Sequence, residues 1–191
     1  MQYRDNGPLL KQPHEGVDKL IARLGVLDIQ CLPARLGQKN ITDRIGGTII
    51  VPRYRPVIWI DLDKHKTDED LVDTLCHESV HATAVLTERW QSLPDQTIKP
   101  LDYLAEELVA YVGSSATARL INYDIGRTNI NRNRSSANIM NTQLRRNDWT
   151  PKQITRYCDY GEEAAIILAA FDRHTGIDAH LNRQIEALDY I

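Results

Sequence analysis

The chain has 191 residues, enough for a single domain with a sizeable core, and we expect one domain over 1–191. Hydrophobic residues make up 42% of the chain and charged residues 26%, proportions that exclude disordered, collagen-like and coiled-coil proteins. The net charge of −3 does not favour nucleic-acid binding through the overall field. The apolar runs of the chain are far shorter than the roughly 20 residues that span a bilayer, and the N-terminus lacks the pattern of a secretory signal. We therefore expect a cytoplasmic protein without membrane contact.

The N-terminal third has the pattern of a short helix followed by a small sheet. Residues 14–24 carry apolar side chains at helical spacing, and Gly25 is expected to end this helix. In the run that follows, 26–32, apolar and polar residues partly alternate. Two further runs, 48–51 and 57–62, are β-branched or aromatic-rich and are bounded by glycines and prolines. A sheet-containing part over about 1–66 is therefore predicted.

The rest of the chain is predicted to be mainly helical. Thr67 is a candidate N-cap, because three acidic residues follow it in what would be the first turn. The predicted helices lie over about 67–88 and 101–121, with C-terminal helices over about 136–190. The Asn- and Arg-rich stretch 123–134 has no clear period and is predicted to be a loop. The fold class is therefore α+β, a small N-terminal sheet followed by a helical C-terminal half.

The three cysteines, Cys31, Cys76 and Cys158, are odd in number and widely spaced. This spacing fits neither a disulfide framework nor a paired-cysteine metal site. We expect them to be buried free thiols.

A His-Glu-Ser-Val-His motif lies inside the helix predicted over 67–88. His77 and His81 are one turn apart on the same face, so both can bind one Zn²⁺, and Glu78 can reach water on the metal. The apolar stripe of this helix is centred roughly 150° away from His77. The histidines therefore face either solvent or a cleft, and the motif indicates a zinc site rather than two core histidines.

Catalytic zinc sites generally use three protein ligands, so a third ligand is needed. Thr87 stands where the metzincin pattern has its third His, and Glu88 is about 10 Å beyond His81 along the helix. The next predicted helix offers Glu107, which borders its apolar face, and Glu106, which points to its polar side. A carboxylate at the edge of a packed face is costly unless it is paired or bound to a cation. Glu107 is therefore favoured, with Glu106 as the alternative.

Two segments, LCHESVHAT (75–83) and YLAEELVAYVGSSATARLINY (103–123), resemble the gluzincin metallopeptidases. More specifically, they are similar to the zincin-like metallopeptidase domain of ArdC-type antirestriction proteins and of polyvalent proteins carried by plasmids and phages. That family has F/L-H-E-L-x-H on the zinc helix and E-E-L-V-A-E on the next one. The resemblance covers about 56–123 and, more loosely, the C-terminal helices. It implies a minimal zincin fold with the sheet packed on the two helices.

The resemblance also implies site residues and an activity. His77, His81 and Glu107 match the family's metal ligands, Glu78 matches its general base, and Tyr111 replaces the second Glu of E-E-L-V-A-E. The implied activity is hydrolysis of peptide bonds by Glu-assisted attack of zinc-bound water, with one Zn²⁺ per chain, in the service of a plasmid or phage. The alternative is a non-enzymatic, zinc-stabilised protein that binds DNA or a protein partner.

Further residues are candidates for substrate binding and for stabilising the transition state. By analogy, an extended peptide would align with an edge strand before the zinc helix, formed by Val57, Ile58, Trp59, Ile60 and Asp61, although an ordinary sheet edge is an equal alternative. The candidate hydrogen-bond donors to the transition state are Tyr111, Tyr123, Tyr157 and His174. The sequence does not choose among them.

The segment 127–147 has no acidic residue and contains Arg127, Arg132, Arg134, Arg145 and Arg146. Such a segment could follow the phosphates of a nucleic acid. It lacks the aromatic residues that stack single-stranded bases, so a solvated loop is the favoured interpretation. The isolated histidines, expected to be ordinary surface residues, are His14, His65 and His180.

Overall fold

A computed structural model describes residues 9–34, 45–49, 55–86 and 100–170. Within these ranges the chain forms five helices and three strands, and its helical C-terminal half confirms the α+β prediction. The elements in chain order are α1 (Glu15–Val26), β1 (Gln30–Ala34), β2 (Gly46–Ile49), β3 (Val57–Asp61), α2 (Asp68–Leu86), α3 (Pro100–Leu120), α4 (Gly126–Arg146) and α5 (Pro151–Ala169). Among the described residues, no helix combines the length and hydrophobicity needed to cross a membrane.

The sheet has the order β1-β3-β2, with β3 parallel to β1 and antiparallel to β2. The prediction of an edge strand is therefore wrong, because the central strand is formed by Val57, Ile58, Trp59, Ile60 and Asp61. Ile58 and Ile60 are fully buried on one face of this strand, and helix α2 packs on the sheet. Pro56 stands just before β3, so its missing N–H removes no hydrogen bond from the strand, and its carbonyl accepts the N–H of Gln30 at 3.0 Å. A proline at a strand end therefore does not mark an edge here.

Strand β2 approaches its neighbours closely because it begins with two glycines. A Cβ on Gly46 would lie 2.8 Å from the Cγ2 of Thr74 on α2, and one on Gly47 would lie 2.7 Å from the indole Nε1 of Trp59. No side chain larger than hydrogen fits in either space without displacing its neighbour. The glycine pair thus lets β2 pack directly on α2 and brings Thr48 onto that helix.

Helix α2 lies at the centre of the molecule, in contact with β2, β3, α3, α4 and α5. Thr67 caps it as predicted, since its hydroxyl accepts the N–H of Asp70 at 3.2 Å. The helix is buried well beyond the predicted apolar stripe, because Val72, Cys76 and Ser79 are also inaccessible to solvent. The hydroxyl of buried Ser79 is satisfied by the carbonyl of Leu75 at 2.6 Å. Helix α2 is therefore a core helix, and the end predicted at 87–88 lies outside the described residues.

Helices α3 and α5 pack closely at a crossing built from two glycines. A Cβ on Gly161 would lie 2.5 Å from the carbonyl oxygen of Val109, and one on Gly113 would lie 2.8 Å from the carbonyl oxygen of Gly161. Helix α5 begins with a capping box in which the Thr150 hydroxyl accepts the N–H of Gln153. The close crossing fixes α3, which carries the glutamates of the predicted site, against the rest of the core.

The predicted loop over 123–134 is wrong, because a helix starts at Gly126 and continues to Arg146. Its buried face consists of Asn129, Asn133 and Leu144, so amides occupy positions where the expected pattern requires apolar side chains.

The first helix also differs from expectation. Helix α1 continues through Gly25, and the positive φ of 56° that follows it belongs to Asp28. The predicted helix beyond 170 lies outside the described residues.

The cysteines are free thiols, as predicted, but only Cys76 is fully buried. Burial raises the pKa of Cys31 to about 11 and also raises the pKa of Cys76 and Cys158. Thiols with raised pKa are poor nucleophiles at neutral pH. A structural role is therefore expected for all three.

Candidate metal centre

Two histidines and a glutamate converge between α2 and α3. The Nε2 atoms of His77 and His81 are 3.2 Å apart, as the i, i+4 spacing predicts. The Oε2 atom of Glu107 lies 3.4 Å from the Nε2 of His77, and its Oε1 atom lies 3.7 Å from the Nε2 of His81. The three side chains are 15–17% exposed, so they line a cleft rather than a solvent face.

This arrangement fits a tetrahedral metal ion. With metal–ligand bonds of about 2.05 Å, neighbouring ligand atoms of a tetrahedral site are about 3.3 Å apart. The 3.2 Å between the two Nε2 atoms and the 3.4 Å from the Nε2 of His77 to the Oε2 of Glu107 are close to that value, whereas the 3.7 Å to the Nε2 of His81 belongs to the other carboxylate oxygen, Oε1. With one ligand atom taken from each residue, the three atoms lie within 4.8 Å of one another. His77, His81 and Glu107 therefore form a group that could hold a metal ion, with the fourth position left for another ligand.

The charges of the group suit a cation. Burial and the nearby His77 lower the pKa of His81 to about 4, despite the opposing charge of Glu107, so the imidazole is neutral at neutral pH. Burial alone would raise the pKa of Glu107, but hydrogen bonding and charge from the histidines, with a bond from Tyr103, outweigh it and lower that pKa. Imidazole nitrogens and a carboxylate oxygen are ligands that zinc accepts.

Glu78 follows His77 and is held by a residue of the sheet. The hydroxyl of Thr48 on β2 lies 2.8 Å from the Oε2 of Glu78 and 3.0 Å from its backbone carbonyl oxygen. A hydroxyl beside a carboxylate donates its proton to it, which fixes the carboxylate's direction. Sequence reasoning missed Thr48 because the contact joins residues 30 positions apart, and local patterns carry no signal for it.

The structure brings Glu107, and not Glu106, to the histidine pair. Glu107 also accepts a hydrogen bond from the hydroxyl of Tyr103, which lies one turn earlier on α3. A partner of this kind orients a ligating carboxylate and tunes its affinity. Sequence reasoning missed Tyr103 as well, although its i, i+4 spacing to Glu107 is a signal that could have identified it.

Tyr111 is next to the candidate metal centre, one turn after Glu107 on α3. Its ring centroid lies 4.7 Å from that of His77, and its hydroxyl hydrogen-bonds Ser136 on α4. Burial and the charge of Glu107 raise the pKa of Tyr111. The ring therefore packs on a candidate ligand, and the bond to Ser136 links its hydroxyl to α4.

The other predicted transition-state donors do not join the site. Tyr123 lies in edge contact with His14 and near the acidic residues Asp68 and Glu69 at the start of α2. These residues are about 12 Å from His77 along the axis of α2. Tyr157 is buried and packs its ring 4.9 Å from that of Trp149. Tyr111 and Tyr123 line the same cavity of about 490 Å³, but only Tyr111 contacts a histidine of the cluster. His174 lies outside the described residues.

Asp73, one turn before His77, joins α2 to both α3 and α4. It is 4% exposed, and its carboxylate accepts bonds from Ser114 at 3.0 Å, Arg132 at 2.6 Å and Asn133 at 2.8 Å. A buried carboxylate of this kind is stable only when its oxygens are hydrogen-bonded and its charge is paired. The network thus fixes α4 against the helices that carry the candidate ligands.

The five arginines of 127–147 lie on α4 rather than in a loop. Arg132 pairs with Asp73, and Arg145 donates to the Oδ1 of Asn141 at 2.9 Å. All five are exposed to solvent: Arg127, Arg132, Arg134, Arg145 and Arg146. Arg132 is also near Tyr111, where its charge opposes the rise in the tyrosine's pKa, and Arg134 lines the cavity that Tyr111 lines.

Two of the isolated histidines are structural rather than ordinary surface residues. Both ring nitrogens of His65 have partners, the carbonyl of Asp61 at 2.8 Å and the hydroxyl of Thr74 at 2.9 Å. His14 precedes α1, and its ring centroid lies 4.7 Å from that of Tyr123. His180 lies outside the described residues.

Comparison of this chain with protein-family models, curated proteins and solved structures finds no match.

Proposed function

We propose that this protein is a zinc-dependent metallopeptidase of the gluzincin type. The observation that carries the proposal is the convergence of His77, His81 and Glu107, whose ligand atoms lie within 4.8 Å of one another, with Glu78 adjacent to His77 on the same helix. The resemblance of the two motif segments to metallopeptidase domains of plasmid and phage proteins points in the same direction. It favours a role in contact between a mobile element and its host, such as antirestriction.

The chain's own residues divide the work of peptide hydrolysis. Zn²⁺ held by His77, His81 and Glu107 would polarise a peptide carbonyl and acidify water. Glu78 accepts the proton of the attacking water and returns it to the leaving amine. Thr48 fixes the carboxylate of Glu78 for both transfers.

The corrected sheet order moves the proposed substrate strand from β3 to β2. Of the three described strands, β2 is at one edge, antiparallel to β3, and its Thr48 contacts the proposed base. Ile49 at its end is 49% exposed. An extended peptide can add to such an edge through main-chain hydrogen bonds, which would place its carbonyls beside Glu78.

A peptidase assay on Glu78→Gln tests this proposal. With zinc supplied, we expect mass spectrometry to detect cleavage of a mixed peptide library by wild type and a loss of roughly 10³-fold in Glu78→Gln. The matched control is Glu69→Gln, which makes the same change at an exposed position on α2 and should retain full activity. Equal activity of wild type and Glu78→Gln would refute the proposal.

The alternative function is a non-enzymatic protein in which zinc only stabilises the fold for binding DNA or a protein. It predicts that wild type loads zinc, cleaves no peptide, and keeps its biological effect in Glu78→Gln. The amide of Gln preserves the size of the side chain but cannot accept the proton. The same variant therefore separates the two functions.

A further inference from the structure

Helix α4 presents a polar, basic face to solvent that the proposed peptidase does not use. At about 100° per residue, its exposed positions span an arc of roughly 160°. Arg127, Arg134 and Arg145 fall within about 20° of one direction on this arc. Asn138, which is also exposed, lies between them on the same line. The four side chains form one row along the helix, called here the arginine row.

The arginine row is distinct from the arginine that serves the fold. Arg132 points about 140° away from Arg127 and is committed to Asp73 at 2.6 Å. Among the described residues, Arg127 and Arg134 form no ion pair with a carboxylate. Helix α4 contains no Asp or Glu. The row therefore presents positive charge that no acid on its own helix neutralises, on a chain whose net charge is −3.

The length of the arginine row suits a nucleic-acid backbone. Helix α4 has 21 residues and is about 31 Å long, and Arg127 and Arg145 are about 27 Å apart along it. A span of that length covers about 8 base pairs of a B-form duplex at 3.4 Å per pair. Guanidinium groups bind phosphates with two bonds and read guanine edges, and Asn amides read adenine edges.

The composition of the exposed face selects the form of nucleic acid. The described exposed positions of α4 include Arg, Asn, Ser and Thr but no aromatic side chain, so it offers no stacking surface for single-stranded bases. A helix of about 10–12 Å diameter fits the major groove of B-form DNA, whereas the deep, narrow major groove of an A-form duplex does not admit it. We propose that the arginine row of α4 binds double-helical DNA.

Fluorescence anisotropy with a labelled DNA duplex of about 20 base pairs tests this proposal over a range of salt concentrations. The test variant is Arg127→Gln/Arg134→Gln/Arg145→Gln. The control variant removes the same number of positive charges outside α4, at Lys11→Gln/Lys19→Gln/Arg55→Gln. Thermal melting of both variants verifies that they are folded.

We expect wild type and the control variant to bind the duplex, and the test variant to bind at least ~10-fold more weakly. The slope of log K against log salt should fall by about 2–3, since each lost phosphate contact contributes about 0.9. Glu78→Gln should bind as wild type does, because the arginine row is independent of the proposed catalysis.

Several outcomes would overturn the proposal. They are no binding of the duplex by wild type at low salt, equal binding by the test and control variants, and tighter binding of single-stranded DNA or duplex RNA. Equal binding of a poly-glutamate peptide would show an unspecific anion surface, and would overturn it too.

Discussion

The hydroxyl of Thr48 on β2 lies 2.8 Å from the Oε2 of Glu78 and joins the sheet to that carboxylate. We expect Thr48→Val to lower kcat about 10-fold with little change in KM, because the carboxylate loses the bond that directs it. Zinc content should not change. Thr48→Ser keeps the hydroxyl and should retain most activity. Steady-state kinetics of the two variants check this, and a fully active Thr48→Val would contradict it.

The hydroxyl of Tyr103 holds Glu107 from one turn earlier on α3. We expect Tyr103→Phe to weaken zinc affinity by about 10-fold, because the loss of a partner that orients a ligand loosens that ligand. Tyr160→Phe is the matched control, since it removes a hydroxyl that bonds Arg156 on α5 instead. Competition with a zinc-binding dye measures both affinities. Equal affinities would show that Tyr103 does not position the ligand.

At the scale of residues, sequence reasoning located the candidate ligands because helical geometry fixes the face that each one occupies on its own helix. The i, i+4 spacing of His77 and His81 fixes their common face, and the position of Glu107 at the border of an apolar face distinguishes it from Glu106. The contact of Thr48 with Glu78 has no such local signature. It depends on the pairing of β2 with β3 and on the packing of the sheet on α2, which are non-local.

At the scale of elements, the crossing of α3 and α5 depends on Gly113 and Gly161. We expect Gly161→Ala to destabilise the protein by about 2 kcal/mol, because the added Cβ would lie 2.5 Å from the carbonyl of Val109 and would force the helices apart. Gly25→Ala in α1 is the matched control. It meets no atom within 4 Å and should stabilise by up to about 1 kcal/mol through helix propensity.

Chemical denaturation measures both glycine variants. A Gly161→Ala protein as stable as wild type would show that the crossing can relax at no cost. A destabilised Gly25→Ala protein would contradict the expectation that this helical position accepts alanine.

Two elements differed from the sequence-based expectation for physical reasons. Strand β3 is central because both its edges are paired, and no pattern within five residues reports which strands lie beside them. Helix α4 was missed because Asn129 and Asn133 face inward, with Asn133 bonded to Asp73. A helix that buries amides lacks the apolar period on which the prediction depends.

At the scale of the whole molecule, the candidate metal centre lies where the buried helix α2 meets α3. The ligands come from both helices, so a bound ion would cross-link them. The Asp73 network joins the same two helices to α4 about one turn away. The sequence predicted the α+β class from the order of its patterns. It did not predict how the elements assemble, because polar networks and glycine crossings form only between distant segments.

The most direct test of the metal centre is the zinc content of purified protein by elemental mass spectrometry, with circular dichroism to verify folding. The paired variants are His77→Ala against His14→Ala, and Glu107→Gln against Glu106→Gln. We predict about one zinc per chain in wild type, His14→Ala and Glu106→Gln, and a large loss in His77→Ala and Glu107→Gln. Folded wild-type protein that holds no zinc and cannot be reconstituted with it would contradict the account.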